Sequence, residues 1–366
     1  MKNLKIDELT HHTSWATHNN SAAQHKAIAE YVFNHNRIGF EYIQTIQALS
    51  IIRLEYRLTD LCDYARIKKL DLQMKAAMDD NRVTTTIEGG TVAIEYPLSD
   101  PTPLYLGDVL PDKQYTDCAD INSLVFPVGR TTTGKDVFGR IEDLKHILIA
   151  GTSGSGKSIF LNTLLLSLIA NCRNVSINII DPKIVEYRRF KLVENCQVIT
   201  EIYEAVAFLK NLCAIMDERY QALATAGARD IESYNAKGYN MHRIVLVVDE
   251  LGDLMKQAKR TAESYLVRLA QKARACGIHL ILATQYPTAD IVTGAIKQNM
   301  PTKICFAVPS TTASVVMLGR KGAEKLLGKG DMLYQTEQDI EPKRLQAPFV
   351  TDADRNVVIA YAIGIA

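Results

Sequence analysis

The stretch HILIAGTSGSGKSIFLNTLLLSL, running from His146 to Leu168, decides how the chain is read. Ile147 to Ala150 form a short continuous apolar run, as expected of a strand buried on both faces of a parallel sheet. After Ser158, the residues Ile159, Phe160, Leu161, Leu164, Leu165, Leu166 and Leu168 extend an apolar face, which predicts a helix packed on that sheet. Between strand and helix, Gly151, Thr152, Ser153, Gly154, Ser155, Gly156, Lys157 and Ser158 satisfy every fixed position of the pattern G-x-x-x-x-G-K-[ST]. Glycines there let consecutive backbone N–H groups turn inward toward phosphate oxygens, at the positive end of the following helix. Lys157 is placed to reach the β and γ phosphates, and Ser158 to put its hydroxyl on Mg²⁺. A glycine-rich turn with no ligand is the plainer reading, and the strand before and helix after it argue against that.

With 366 residues, the chain can form one large or two medium domains, each with a sizeable core. It is 47% hydrophobic and 23% charged with a net charge of +1, a balance that neither suggests nor excludes a nucleic-acid partner. The seven cysteines are scattered and include no C-x-x-C pair, so neither a zinc ribbon nor a disulfide framework is expected. A reduced cytoplasm fits best. No run approaches the roughly 18 apolar residues needed to cross a bilayer, and Met1 to Thr10 lack the apolar core of a signal peptide. His11, His12, His18, His25 and His35 crowd the N-terminus without cysteines or carboxylates at ligand spacing. They read as a polar arm entering a helix near residues 22–34 rather than as a metal site.

Residues 1–36 are therefore taken as a polar arm and helix, and residues 37–120 as a small α+β domain with a linker. In the latter, Ile51–Leu58 reads as a strand, Leu61–Met78 as a helix and Val83–Tyr96 as strand again, while Pro97 to Asp120 shows no sustained periodicity. Residues 121–366 form a larger unit. Its apolar runs at Ile147–Ala150, Val175–Ile180, Ile244–Val248, Ile278–Ala283 and Ile304–Val308 alternate with helical segments, the order of a wound, mostly parallel α/β sheet.

In that larger unit RIVLVVDELGDLM, from Arg243, ends a second buried strand in Asp249 and Glu250. Beside a phosphate loop, the first carboxylate holds Mg²⁺ and the second orients and deprotonates the attacking water. The same two residues can also be the cap and first turn of the next helix. A third strand, GIHLILATQYP, ends in Thr284 and Gln285, which either sense the γ phosphate or simply finish the strand. INIIDPK places Asp181 and Lys183 at a further strand end, read as a structural turn, with a role in subunit coupling as the alternative.

Together, HILIAGTSGSGKS, IIDPK, MDERYQALATAGARDIESYN, IVLVVDELGDLM, LAQKARACGIHLILATQYP, IKQNMPTKICF and GAEKLLGKGDMLY resemble the motor domain of the FtsK/SpoIIIE family of DNA translocases, in its order and spacing, over about Leu124 to Ala366. More faintly, IIRLEYRL, YARIKKLDLQMKAAM and RVTTTIEGGTVAIEYP resemble that family's smaller α domain. The resemblance implies a RecA-like P-loop ATPase that binds ATP and Mg²⁺ between subunits of a hexameric ring and walks along double-stranded DNA. It assigns Lys157, Ser158, Asp249 and Glu250 to the catalytic positions and Gln285 to a sensor. It also implies a finger reaching the neighbouring subunit's nucleotide. Lys303 stands where such relatives usually carry arginine, and it lacks arginine's planar fork. Val315 replaces a second arginine, so Arg274 and Arg320 are further finger candidates.

Lys256, Lys259 and Arg260, read as a polar loop after the acidic strand end, are candidate DNA contacts, as are Arg66, Lys68 and Lys69 on the small-domain helix. Arg268, Lys272 and Arg274 are spaced for one helical face and fit an interface equally well. A motor with neither a membrane anchor nor a winged-helix domain is the form expected of a mobile element, plasmid or phage. Two other readings use the same motor: a conjugative coupling or replication ATPase moving single-stranded DNA, and a protein-translocating ATPase like those of type VII secretion.

Overall fold

The computed structural model describes residues 19–60, 62–67, 69–110, 124–171, 174–184 and 186–364. His11, His12, His18 and Lys68 lie outside the described residues, as does the 111–123 part of the expected linker.

Four strands, β1 (Phe40–Gln47), β2 (Ile51–Leu58), β3 (Thr84–Glu88) and β4 (Thr91–Pro97), form an antiparallel sheet in the order β1-β2-β4-β3. Alternation assigns its faces. Ile52, Leu54, Tyr56, Val92, Ile94 and Tyr96 join Phe33 of the helix Asn19–His35 and Met74 and Met78 of the helix Asp71–Met78 in one core. On the opposite face, Arg53, Glu55 and Glu95 are buried as ions. His25 stacks on Tyr96 with ring centroids 3.9 Å apart.

The expected helix over 61–78 is two pieces, Asp63–Ile67 and Asp71–Met78. β1 has no counterpart among the expected strands. Its residues are mostly exposed, and a bulge between Tyr42 and Gln44 interrupts their alternation, so little of the period-two signal of a half-buried strand survives.

The second sheet has ten strands: β5 (Val125–Thr131), β6 (Asp136–Arg140), β7 (Ile147–Ala150), β8 (Val175–Ile180), β9 (Cys196–Ile199), β10 (Arg243–Val248), β11 (Ile278–Thr284), β12 (Thr302–Phe306), β13 (Asp331–Gln335) and β14 (Lys343–Gln346). They lie in the order β6-β5-β14-β13-β12-β7-β11-β10-β8-β9. From β12 to β9 every pairing is parallel, and from β12 to β6 every pairing is antiparallel.

Both faces of the parallel part are covered, which is why its strands read as unbroken apolar runs. Ile147, Ile149, Val245, Val247, Ile281 and Ala283 face a core completed by Phe160, Leu161, Leu164 and Leu168 of the helix Lys157–Asn171. Their alternates Leu148, Leu246, Val248, Leu280 and Leu282 face a second core, with Leu209, Leu212 and Met216 of the helix Ile202–Thr225 and Leu254, Leu266 and Leu269 of the helix Leu251–Lys272. Each such aliphatic side chain taken from water contributes about 1.5–3 kcal/mol.

The sheets are joined by charge. Arg344 of β14 bonds Asp331 through Nε and Nη2, at 3.0 and 2.8 Å, and Glu95 of β4 through Nη1 at 2.7 Å. Glu95 also accepts from Arg53 Nη1 at 2.9 Å, and Arg53 Nε meets Glu55 at 2.8 Å. Buried ions persist only when paired, and this row pairs the buried Arg53, Glu55 and Glu95. A strap from Leu98 to Tyr105 then crosses to the large sheet: Thr102 N donates to Leu49 O at 2.8 Å and Leu106 N to Phe349 O at 3.0 Å.

Candidate active site

Parallel pairing brings the C-terminal ends of β7, β8, β10 and β11 to one edge, the place where open α/β sheets bind ligands. The loop after β7 turns at Gly154 and Gly156, whose φ values of +75° and +109° lie in the left-handed region. Gly156 is also forced by contact, because a Cβ there would lie 2.5 Å from the Gly330 nitrogen. Neighbouring strand ends hold the loop: Gly151 N donates to Thr284 O at 3.2 Å, and Thr152 donates to Ala307 O through both N and Oγ1 at 3.0 Å. Ser155 Oγ is buried with no hydrogen-bond partner.

Lys157 opens the following helix and is only 2% exposed. Its ammonium donates to the Asp249 carbonyl at 2.9 Å and to Asp249 Oδ1 at 3.1 Å. The Tyr187 hydroxyl donates to the same carboxylate oxygen at 3.1 Å. Asp181, at the end of β8, is fully buried and one of its oxygens has no partner. Burial, and then the Asp249 charge, push its carboxyl above the usual carboxylate range, and the same two causes raise Glu186.

Glu250 accepts from Thr284 Oγ1 at 2.8 Å, from Gln285 N at 3.1 Å and from Gly252 N at 3.2 Å. Lys183 Nζ lies 3.5 Å from Oε2, the oxygen that accepts from Gln285 N, whereas Thr284 and Gly252 donate to Oε1. The Gly252 bond makes Glu250 the cap of the helix Leu251–Lys272, so this side chain is at once strand-end acid and helix cap.

A cavity of about 690 Å³ opens over this edge. Thr152, Ser153, Gly154, Gly156, Lys157, Ser158 and Gln285 line it, whereas Gly151, Ser155, Asp249 and Glu250 stand behind that lining. Its remaining walls come from far away in sequence: Ser50, the strap from Asp100 to Tyr105, Glu186, the turn Leu327–Gly330 and the segment Gln346–Phe349. Tyr187 and most of these walls carry no local pattern that marks them, although the turn Leu327–Gly330 lies within the segment GAEKLLGKGDMLY that carries the resemblance. Only the two glycines flanking Lys329 signal a left-handed turn at Leu327–Gly330.

The other candidates lie elsewhere. Lys303 sits on β12 beside Leu148 and opposite Gln335, off the lining of the cavity, and burial lowers its pKa. Arg274 lines a different cleft with Arg243 and Arg229, and Arg320 pairs with Glu341. Arg268 bonds Asp217. Lys256, Lys259 and Arg260 are exposed, but they do not form a loop. The Glu250 cap starts a helix at once that carries all three, broken only by a kink at Ala258. Tyr286, next to Gln285 and 59% exposed, lies 5.9 Å from the Lys256 ammonium. In the small domain, Arg66 bonds Asp63 and the Asn36 carbonyl, and Lys69 falls in the turn between the two short helices.

Strand order, phosphate-type loop and acids at the adjoining strand ends define a RecA-like P-loop NTPase fold. Solved structures agree on it: the pCW3 conjugation coupling protein TcpA, in monomer form with ATPγS, has a TM-score of 0.64 at 24% identity, covering 92% of this chain and 99% of that one. The cytoplasmic domain of the Thermomonospora curvata type VII secretion ATPase EccC has a TM-score of 0.59 at 22% identity, covering 66% and 31%. The model of the FtsK/SpoIIIE family matches residues 108–242 and 238–289. A DNA translocase FtsK of Clostridium tetani is 39% identical over 302 residues, 80% of this chain and 40% of its own length. That of Caldanaerobacter subterraneus is 37% identical over 333 residues, 88% and 47%. The chain belongs to the FtsK/SpoIIIE family and spans less than half the length of these two relatives. Among the described residues, no helix is long and apolar enough to cross a membrane.

Proposed function

We propose that this chain is an ATP-hydrolysing motor that moves double-stranded DNA as a hexameric ring. The observation that carries this reading is Lys157 held on Asp249, with Glu250 beside it, behind a cavity floored by the glycine loop. The residues fit a nucleoside triphosphate with Mg²⁺. Left-handed glycines let backbone N–H groups face phosphate oxygens, and Ser155 Oγ is a spare polar group under the loop. No group of three or more His, Cys, Asp or Glu among the described residues could hold a metal. Mg²⁺ is commonly held by one or two carboxylates with phosphates and waters, and Ser158 and Asp249 offer that kind of partial shell. Bound there, Mg²⁺ neutralises charge on the phosphates.

Lys157 exchanges Asp249 for phosphate oxygens. Glu250, aimed by Thr284 and the Gln285 N–H, orients the attacking water and takes its proton. Lys303, off its own cavity, serves the neighbouring subunit's nucleotide, with Arg274 and Arg320 as the other finger candidates. Lys256, Lys259 and Arg260, on the helix that Glu250 caps, contact the DNA backbone without regard to sequence.

The test is ATP hydrolysis with and without linear duplex, together with displacement of a triplex strand, in the wild type and in Glu250→Ala. Duplex is expected to stimulate hydrolysis and support displacement, and Glu250→Ala to lower turnover by at least about a hundredfold. Stimulation by single strands alone would instead favour the conjugative type of motor. Hydrolysis indifferent to DNA would point to a protein cargo.

A further inference from the structure

We propose that Lys329 is a second phosphate-binding cation of the cavity; it lies within the segment GAEKLLGKGDMLY that resembles the family, and that resemblance gives it no role. Lys329 lines the cavity, from the turn Leu327–Gly330. Its own φ is +50°, and Gly328 and Gly330 on either side are at +78° and +96°. Three left-handed residues in a row are uncommon, and the middle one carries a long side chain where glycine or asparagine would be less strained. Strain of this kind persists where the surroundings impose it, and it collects at ligand sites.

The surroundings do impose it. Lys329 N donates to Gly154 O at 3.4 Å and Gly330 N to Ser155 O at 2.8 Å, so the turn is fastened directly to the phosphate loop. Gln346 Nε2 donates to Lys329 O at 2.9 Å, and Ala347 N to Gly330 O at 2.8 Å. The position of Lys329 relative to Gly154 is therefore fixed by backbone, and its stem is free to follow a ligand.

Charge supplies the second argument. Of the two lysines lining the cavity, Lys157 is engaged by Asp249, whereas among the described residues no ion pair or hydrogen bond engages the Lys329 ammonium. The same walls carry the carboxylates of Asp100 and Glu186. A triphosphate entering there meets Lys329 as the uncommitted cation, and a lysine acts on phosphate as a movable point charge.

This inference rests on the cavity holding a nucleoside triphosphate. Its test uses a fluorescent mant-ATP, displaced by tripolyphosphate or by adenosine, on the wild type, Lys329→Asn and Lys329→Arg. Asparagine tolerates the left-handed backbone, so charge is removed without disturbing the turn. Lys329→Asn is expected to weaken mant-ATP and tripolyphosphate about tenfold and leave adenosine and the thermal midpoint unchanged, with Lys329→Arg restoring most of the loss. Equal mant-ATP affinity in wild type and Lys329→Asn overturns the proposal. So does an equal loss for adenosine, or a loss that Lys329→Arg leaves in place, since either marks a structural role. Absence of mant-ATP binding in the wild type would instead sink the nucleotide reading itself.

Discussion

Glu250 is gripped by the hydroxyl of Thr284, the N–H groups of Gln285 and Gly252, and the nearby Lys183 ammonium. A carboxylate held this way is aimed, and as the proposed base its aim is sensitive to each donor. Thr284→Val keeps the shape and removes one donor from a fully buried site. We predict that it lowers kcat about tenfold to a hundredfold with little change in KM, because small misplacements of a reacting group cost that much. A raised KM with kcat intact, in steady-state hydrolysis assays, would move Thr284 from aiming the base to binding the nucleotide. At this scale the sequence was informative about position: Lys157 and Ser158 open the helix after the glycine loop, and Asp249 and Glu250 follow β10. It was silent on Tyr187, whose hydroxyl reaches Asp249 from 62 positions away. Thr284 was balanced between two readings because a strand-end threonine looks the same whether or not a carboxylate lies across the sheet from it.

The parallel elements were the most legible, since a doubly covered strand must be apolar throughout: the runs at 147–150 and 175–180 are β7 and β8 to the residue. β12 begins two residues earlier than its apolar run, because Thr302 and Lys303 pair with β7 through backbone and so need no apolar side chain. The helix bearing Lys256 was misread as a loop, its polar exposed turn obscuring continuity across the Ala258 kink.

Two histidines at the foot of β7 and β11 give these elements a titration signature. The His146 Nδ1 accepts from Leu280 N at 3.0 Å, and His279 bonds the Lys145 carbonyl at 3.1 Å. Burial first, then neighbouring positive groups including Arg274, push their pKa values down to about 3 and about 4. Both are neutral in the folded protein at pH 5, whereas in the unfolded chain they take up protons below about pH 6.5. Folding stability is therefore intact above that pH and falls as pH drops toward the folded values, by up to about 1.4 kcal/mol per pH unit for each histidine. Urea denaturation at pH 7 and pH 5 checks this, with His279→Gln expected to flatten the slope. Stability unchanged over that interval would count against burial of the neutral rings.

Across the whole molecule, Arg344 is the joint between the sheets. Arg344→Met would leave Glu95 and Asp331 as buried carboxylates with a partner removed, and we predict a loss of about 3–5 kcal/mol in urea denaturation. Adding Glu95→Gln should recover part of it, as expected for coupled neighbours. A loss below about 1 kcal/mol would mean that water reaches the pair. This joint was not legible in the sequence, because arginines and glutamates at alternate strand positions look like a solvated face until a second sheet covers them. The walls of the cavity were hidden for the same reason. Ser50 and the strap from Asp100 to Tyr105 line it beside Lys157, yet they belong to the smaller sheet and its exit. A fragment starting at β5 would thus retain every side chain that the phosphate-loop pattern singles out and most of both of the large sheet's cores, yet it would lose Leu106, Leu110 and Leu124 from one of them and present a trough with one side missing. For anyone dissecting the protein by truncation, the part that holds the chemistry and the part that shuts it in do not have the same boundaries.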